Sequence, residues 1–145
     1  MKSVHILLVE DNPGDILLTT EALEERKLVN KISVVRNGKE ALDFLFQEHQ
    51  YKGETPPDLI LLDINIPLLS GHEVLQRIKT DERTKEIPVI ILTTSSAERD
   101  IHLAYKNHAN CFITKPVDID DFMKAIFNIE DFWIQLVRLP SDTPQ

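Results

Sequence analysis

Five short apolar runs recur along the chain, each separated from the next by a longer segment with helical periodicity. Four of the runs are continuously apolar, which is typical of strands covered on both faces of a parallel sheet. The second run is polar at both ends, which suits an edge strand. The predicted strands occupy residues 5–10, 31–36, 59–64, 88–94 and 110–116.

The segments between the runs place apolar residues three or four positions apart, as amphipathic helices do. Strands alternating with helices predict an α/β fold, a doubly wound five-stranded parallel (βα)5 sheet with right-handed crossovers. In such folds, ligands bind outside the carboxyl ends of the strands, where the strand order reverses. The predicted helices span about 14–27, 38–49, 71–80, 97–107 and 118–138.

Length and charge narrow the classes of function. The 145 residues predict a single domain over 1–140 with a flexible tail at 141–145, so any separate output domain would be tiny. The net charge of −8 disfavours nucleic acid and anionic lipid as partners. No run approaches the roughly 18 apolar residues of a membrane span, and the first run is too short for a signal peptide. We therefore expect a cytoplasmic protein.

Chemically active side chains stand at the ends of four of the five runs. Any one of them could be explained alone as a turn former or a helix cap. Their shared position predicts instead that they converge on one edge of the sheet. They are Glu10 and Asp11 after the first run, Asp63 in the third, Thr93 and Thr94 in the fourth and Lys115 in the fifth.

Carboxylates brought within several ångströms repel each other, at a cost of a few kcal/mol per close pair for an effective dielectric of about 20. A hard divalent cation with oxygen ligands would neutralise them, and Mg²⁺ prefers one or two carboxylates together with water and a phosphate oxygen. A carboxylate nucleophile, a metal, a lysine and a hydroxyl donor are the parts that phosphoryl transfer requires.

In their order and spacing, these motifs resemble the receiver domain of two-component response regulators. The acidic pair Glu10-Asp11, the aspartate of LILLDINIP, the threonine of PVIILTT and the lysine of FITKP occur in the family's order. Pro67 and Gly71 fall where receivers turn from the third strand into its helix. The resemblance covers about residues 3–128 and implies a flavodoxin-like receiver fold.

The resemblance implies a role for each of these side chains. Asp63 would be the phosphoacceptor, attacking the phosphohistidine of a sensor histidine kinase. Thr93 and Lys115 would grip the phosphoryl oxygens. The Mg²⁺ cofactor would be held by Glu10, Asp11, Asp63 and the backbone carbonyl of Asn65.

The family also implies a conformational switch, in which the Thr93 hydroxyl moves toward the phosphoryl group and Phe112 turns inward behind it. An ordinary core aromatic is the alternative for Phe112. Asn65 and Ser95 match positions that tune hydrolysis of the aspartyl phosphate. The Lys115-Pro116 peptide bond is expected to be cis.

The last helical pattern runs on to Pro140, beyond the usual end of a receiver. Its apolar arc is wide enough either to cover its own domain or to form a homodimer through the fourth and fifth helices. The segment HQYKGETPPD and this ending resemble single-domain receivers that partner phytochrome-type histidine kinases. The first helix would dock the kinase, with Ile16, Leu17 and Leu18 as candidate contacts.

Two other classes of α/β protein are excluded because the chain lacks residues that they require. An enzyme of the haloacid-dehalogenase type needs a second aspartate where the chain has Asn65, and no Gly-rich phosphate loop is present. The sequence therefore predicts a phosphoacceptor signalling protein and not an enzyme acting on another substrate. Its output would be a conformational switch or a relay to a phosphotransfer protein. The alternative is a degenerate receiver acting as a phosphorylation-independent interaction module, although none of the motif residues is lost.

Overall fold

The computed structural model describes residues 4–25, 31–94, 98–115, 118, 120–121 and 124. Five strands alternate with four α-helices in these ranges, and a 3₁₀ turn at His49–Tyr51 follows the second helix. The elements are β1 (His5–Val9), α1 (Pro13–Glu25), β2 (Lys31–Val35), α2 (Gly38–Leu45), β3 (Leu59–Asp63), α3 (Gly71–Lys79), β4 (Val89–Thr93), α4 (Glu98–Lys106) and β5 (Cys111–Thr114).

All five strands pair in parallel, in the order β2-β1-β3-β4-β5. The predicted doubly wound fold is confirmed, and β2 is an edge strand as its polar ends indicated. β5 is the other edge, and Cys111 and Phe112 are only half-buried. Its continuous apolar pattern therefore overstated how far it is covered. Because the order reverses between β1 and β3, their carboxyl ends flank a crevice.

Two apolar clusters cover the two faces of the sheet. One face of β1 and β3 packs with α2 and α3, and the opposite face packs with α1. Every residue of β1, β3 and β4 is buried. Each fully buried Leu or Ile contributes about 1.5–3 kcal/mol through the hydrophobic effect. The buried strands therefore hold their carboxyl ends in fixed positions, and these ends carry the polar side chains.

Local capping explains where several helices begin. The Asn37 side chain accepts a hydrogen bond from the Glu40 backbone N at 2.8 Å, and Ser70 forms a reciprocal capping box with Glu73. The Asp118 side chain likewise accepts from the backbone N of residues 120 and 121, at 2.8 and 3.2 Å. That is N-cap geometry at the predicted start of the last helix. Apart from residue 124, which is helical, the remainder of that predicted helix and the 141–145 tail lie outside the described residues.

The second helix is shorter than predicted, ending at Leu45 and not near residue 49. Gln47 and His49 adopt positive φ angles of 56° and 54°, so the α-helical conformation cannot continue through this turn. The Gln47 side-chain amide also donates to the Glu54 backbone carbonyl at 2.8 Å, tying this turn to the following loop. Helical periodicity alone did not show these left-handed residues.

Two glycines allow the loop after β3 to pack closely against its neighbours. A Cβ on Gly71 would lie 2.4 Å from the backbone O of Asp63, and a Cβ on Gly38 would lie 2.5 Å from the backbone O of Leu69. The Gly38 N–H also donates to the Pro67 carbonyl at 3.1 Å. The loop that follows Asp63 is therefore clamped between the starts of α2 and α3.

Gly71→Ala should destabilise the fold because its methyl group would collide with the backbone of Asp63. We expect a loss of about 1–3 kcal/mol in the free energy of unfolding, as is typical of overpacking. Urea unfolding would measure the loss. Gly14→Ala is the matched control, because its Cβ would meet only the Asn12 side chain, at 3.2 Å. Equal stability of the two variants would contradict the close-packing argument.

Candidate functional site

The carboxyl ends of β1, β3 and β5 bring Glu10, Asp63 and Lys115 together in one buried group. Glu10 follows β1, and the pairing of Val9 with Leu62 places it next to Asp63. The side chains of Glu10, Asp63 and Lys115 are only 2%, 8% and 6% exposed. Three charged side chains this well buried must neutralise one another.

Lys115 is the centre of this group. Its Nζ donates hydrogen bonds to Asp63 Oδ2 at 2.9 Å and to Asp15 Oδ2 at 3.0 Å, and it also contacts Glu10 Oε1. An ammonium has three N–H donors and no acceptor. All three donors of Lys115 are therefore directed at carboxylates.

The balance of charge in this group is negative, because three carboxylates share one ammonium. Burial raises the pKa of Glu10 to about 7, opposed by the Lys115 hydrogen bond and reinforced by nearby Asp63. Burial alone would lower the pKa of Lys115, but its hydrogen bonds to Asp63, Glu10 and Asp15 outweigh that effect and raise the pKa. Lys115 is thus a firmly charged cation, while Glu10 binds and releases a proton near neutral pH.

The oxygen atoms of Glu10, Asp11 and Asp63 form a group suited to a divalent cation. One carboxylate oxygen from each lies within 4.8 Å of the others. The backbone N–H groups of Asp11 and Asn12 donate to Glu10 Oε2 at 3.1 and 3.3 Å, which orients that carboxylate. Hard oxygen donors in this number fit Mg²⁺ or a similar ion.

The chain around Asn65 also orients the phosphoacceptor candidate. Its backbone N–H donates to Asp63 Oδ1 at 3.2 Å, while Lys115 holds the other oxygen, Oδ2. Both oxygens of the Asp63 carboxylate are therefore fixed within the protein.

Thr93 ends β4 and is fully buried, whereas Thr94 is exposed. The Thr93 carbonyl accepts from the Lys115 backbone N–H at 2.9 Å, so the two residues are neighbours through their backbones. Phe112 on β5 pairs with Ile91 on β4. Its half-buried side chain packs against the apolar cluster that lies between the sheet and helices α2 and α3. Ser95 and Pro116 lie outside the described residues.

Asp15 is the residue of this group that the sequence analysis missed. It lies in the first turn of α1, where its backbone N–H donates to the Asn12 side chain at 2.9 Å. The one sequence signal for Asp15 is that its carboxylate follows Asp11 by four residues. The helical periodicity of this segment could not show that Asp15 contacts Lys115, which is one hundred positions further along the chain.

Exposed apolar side chains lie on two segments that begin at this site. Leu17 and Leu18 on α1 are more than half exposed, whereas Ile16 is partly buried against the core. Leu68, in the loop after β3, is 73% exposed at a φ of 72°, which is uncommon for a bulky residue. Of the three predicted kinase contacts, Leu17 and Leu18 are accessible to a partner.

Comparison with known proteins agrees with this geometry. Residues 6–127 match the family model of the response regulator receiver domain. Response regulator Rcp1 from Synechocystis is 41% identical over 136 residues, which cover 94% of this chain and 92% of Rcp1.

Solved structures give the same result. The phosphorylated cyanobacterial phytochrome response regulator RcpA is 43% identical with a TM-score of 0.79, covering 96% of this chain and 99% of RcpA. The Mn²⁺-bound form of Rcp1 is 41% identical with a TM-score of 0.77, covering 94% and 99%. Separately, none of the described helices is long and apolar enough to cross a membrane.

Cation binding should depend on pH through Glu10. Because its pKa is raised to about 7, Glu10 must release a proton before it can coordinate a cation at lower pH. Mg²⁺ affinity should therefore fall steadily as the pH is lowered from 8 to 6. Calorimetric titration in buffers of different ionisation enthalpy would measure both the affinity and the released proton. If Glu10→Gln released as many protons on binding Mg²⁺ as the wild type, the released proton would have to come from another group.

Proposed function

The chain belongs to the response regulator receiver family, and from this premise we propose that Asp63 accepts a phosphoryl group from a sensor histidine kinase. The observation that carries the proposal is the buried Lys115 ammonium bonded to Asp63 Oδ2 beside a set of carboxylates suited to a divalent cation. This arrangement supplies a nucleophile and the positive charge that a transferred phosphoryl group needs.

In the proposed reaction, a carboxylate oxygen of Asp63 attacks phosphorus, and the bond between phosphorus and the kinase histidine breaks. The attacking carboxylate is already oriented by Asn65 and Lys115. Lys115 and the Thr93 hydroxyl would then bind the phosphoryl oxygens. The divalent cation would supply further charge neutralisation at the transferred group.

We assign that cation as Mg²⁺. Its ligands would be Glu10, Asp11, Asp63 and the backbone carbonyl of Asn65, with Glu10 acting largely through water. The hard oxygen donors of the three carboxylates support a divalent ion at this position. The relative Rcp1 has a Mn²⁺-bound form, which supports binding of a divalent ion by proteins of this kind.

Movements of Thr93 and Phe112 would transmit phosphorylation of Asp63 to the protein surface. Thr93 is linked to Lys115 through the backbone, and Phe112 lies on β5, three residues before that lysine. Inward rotation of Phe112 would deepen its half-buried packing. Asn65 and Ser95 would tune how long the aspartyl phosphate survives.

We propose that this protein acts in the cytoplasm and that its phosphodonor is a sensor histidine kinase of the phytochrome type. The similarity of this chain to RcpA, a cyanobacterial phytochrome response regulator, supports this assignment. Exposed Leu17 and Leu18 on α1 would contact the kinase. A phosphotransfer protein is the proposed downstream partner, and nucleic acid is disfavoured by the charge of −8.

We also propose a homodimer through α4 and the helix predicted at 118–138. α4 offers Tyr105, which is 48% exposed, while Ala104 beside it is fully buried. The alternative, a phosphorylation-independent module, has no observation in its favour, because every motif side chain in the described residues is present.

Incubation with acetyl phosphate and Mg²⁺ should add one phosphoryl group to the protein, measured by intact mass. Asp63→Asn should remove the gain, because an amide is not a nucleophile toward phosphorus. Asp58→Asn should retain the gain, because Asp58 precedes β3 at the amino end of the strand, where its Oδ2 accepts from the His5 backbone N–H at 2.9 Å. No mass gain in the wild-type protein would favour the phosphorylation-independent module.

Light scattering on the same samples tests the proposed homodimer. A monomeric molar mass both with and without phosphorylation would exclude it.

A further inference from the structure

We propose that Asp15 is a positioning residue that retains the Lys115 ammonium when a divalent cation binds the neighbouring carboxylates. The proposal rests on the cation site described above and extends it to a residue outside the receiver motifs. It starts from the unequal positions of the three carboxylates that Lys115 contacts.

Two of those carboxylates have to serve both cations. Glu10 and Asp63 contact Lys115, and their oxygens also belong to the group that can hold a divalent ion. A divalent ion bound to these carboxylates would repel the ammonium and compete with it for their negative charge. Lys115 must therefore give up part of these two contacts when the ion binds.

Asp15 can keep its contact. In the described part of the chain, the carboxylates close enough to share a cation at this edge are Glu10, Asp11 and Asp63, and Asp15 is not among them. Its Oδ2 lies 3.0 Å from Lys115 Nζ. Without Asp15, the Lys115 side chain, which is 6% exposed, would keep only the two carboxylate contacts that it shares with the divalent cation.

The local structure holds Asp15 in place. Its backbone N–H donates to Asn12 Oδ1 at 2.9 Å, and the Ile16 N–H donates to the Asn12 carbonyl at 2.9 Å. The first turn of a helix also favours a negative side chain. The short segment from Glu10 to Asp15 thus supplies both cation ligands and the anchor for the lysine.

Asp15→Asn should weaken Mg²⁺ binding roughly five- to tenfold, the scale of coupling between contacting charged residues. Lys115 would then depend more on Glu10 and Asp63 and would compete more strongly with the ion. Calorimetric titration with MgCl₂ measures the affinity. Asp15→Glu should recover most of it, because the carboxylate is restored. Glu21→Gln, an exposed site on the same helix with the same charge change, should alter affinity less than twofold.

A double-mutant comparison separates positioning of Lys115 from simple loss of charge. In a Lys115→Met background, adding Asp15→Asn should change Mg²⁺ affinity less than twofold. An equal weakening in both backgrounds would overturn the proposal, and so would wild-type affinity of Asp15→Asn itself. Because the measured quantity is metal affinity, a failure of Asp63 phosphorylation would be seen separately and would not alter this result.

Discussion

The candidate site depends on one interaction at the carboxyl edge of the sheet, the Lys115 ammonium enclosed by the carboxylates of Glu10, Asp15 and Asp63. Buried charges are tolerated only when they are paired. Here a single ammonium is paired with three acids, so the site is neutralised incompletely. That remaining negative charge raises the affinity for a second cation. Burial raises the pKa of Glu10 to about 7, and the neighbouring Asp63 carboxylate adds to that shift.

Parallel topology is what makes this concentration of charge achievable. β1, β3 and β5 all run in the same direction, so side chains at their ends meet although they are far apart in sequence. The apolar interiors of the strands provide the free energy that holds the ends together. Gly38 and Gly71 then let the loop after Asp63 pack tightly, so the phosphoacceptor candidate is fixed by backbone contacts as well as by charge.

Sequence patterns predicted the strands, their parallel arrangement and the meeting of Glu10, Asp63 and Lys115, because each followed from buried apolar runs and what ends them. They did not predict the early end of α2, which is set by the positive φ angles of Gln47 and His49. They also missed Asp15. Its contact with Lys115 depends on how α1 packs across the sheet, a long-range property that no local pattern contains. The roles of Thr93, Phe112 and Asn65 stay predictions.

The account's central physical claim is that Lys115 and a divalent cation share the neutralisation of one carboxylate group. The most direct test is the free energy of unfolding of the wild type and Lys115→Met, each measured by urea in EDTA and in saturating Mg²⁺. In EDTA, the variant should be less stable by about 3 kcal/mol, because its buried carboxylates lose their partner. Mg²⁺ should stabilise the variant more than the wild type and narrow this difference. A difference that Mg²⁺ leaves unchanged would contradict the claim.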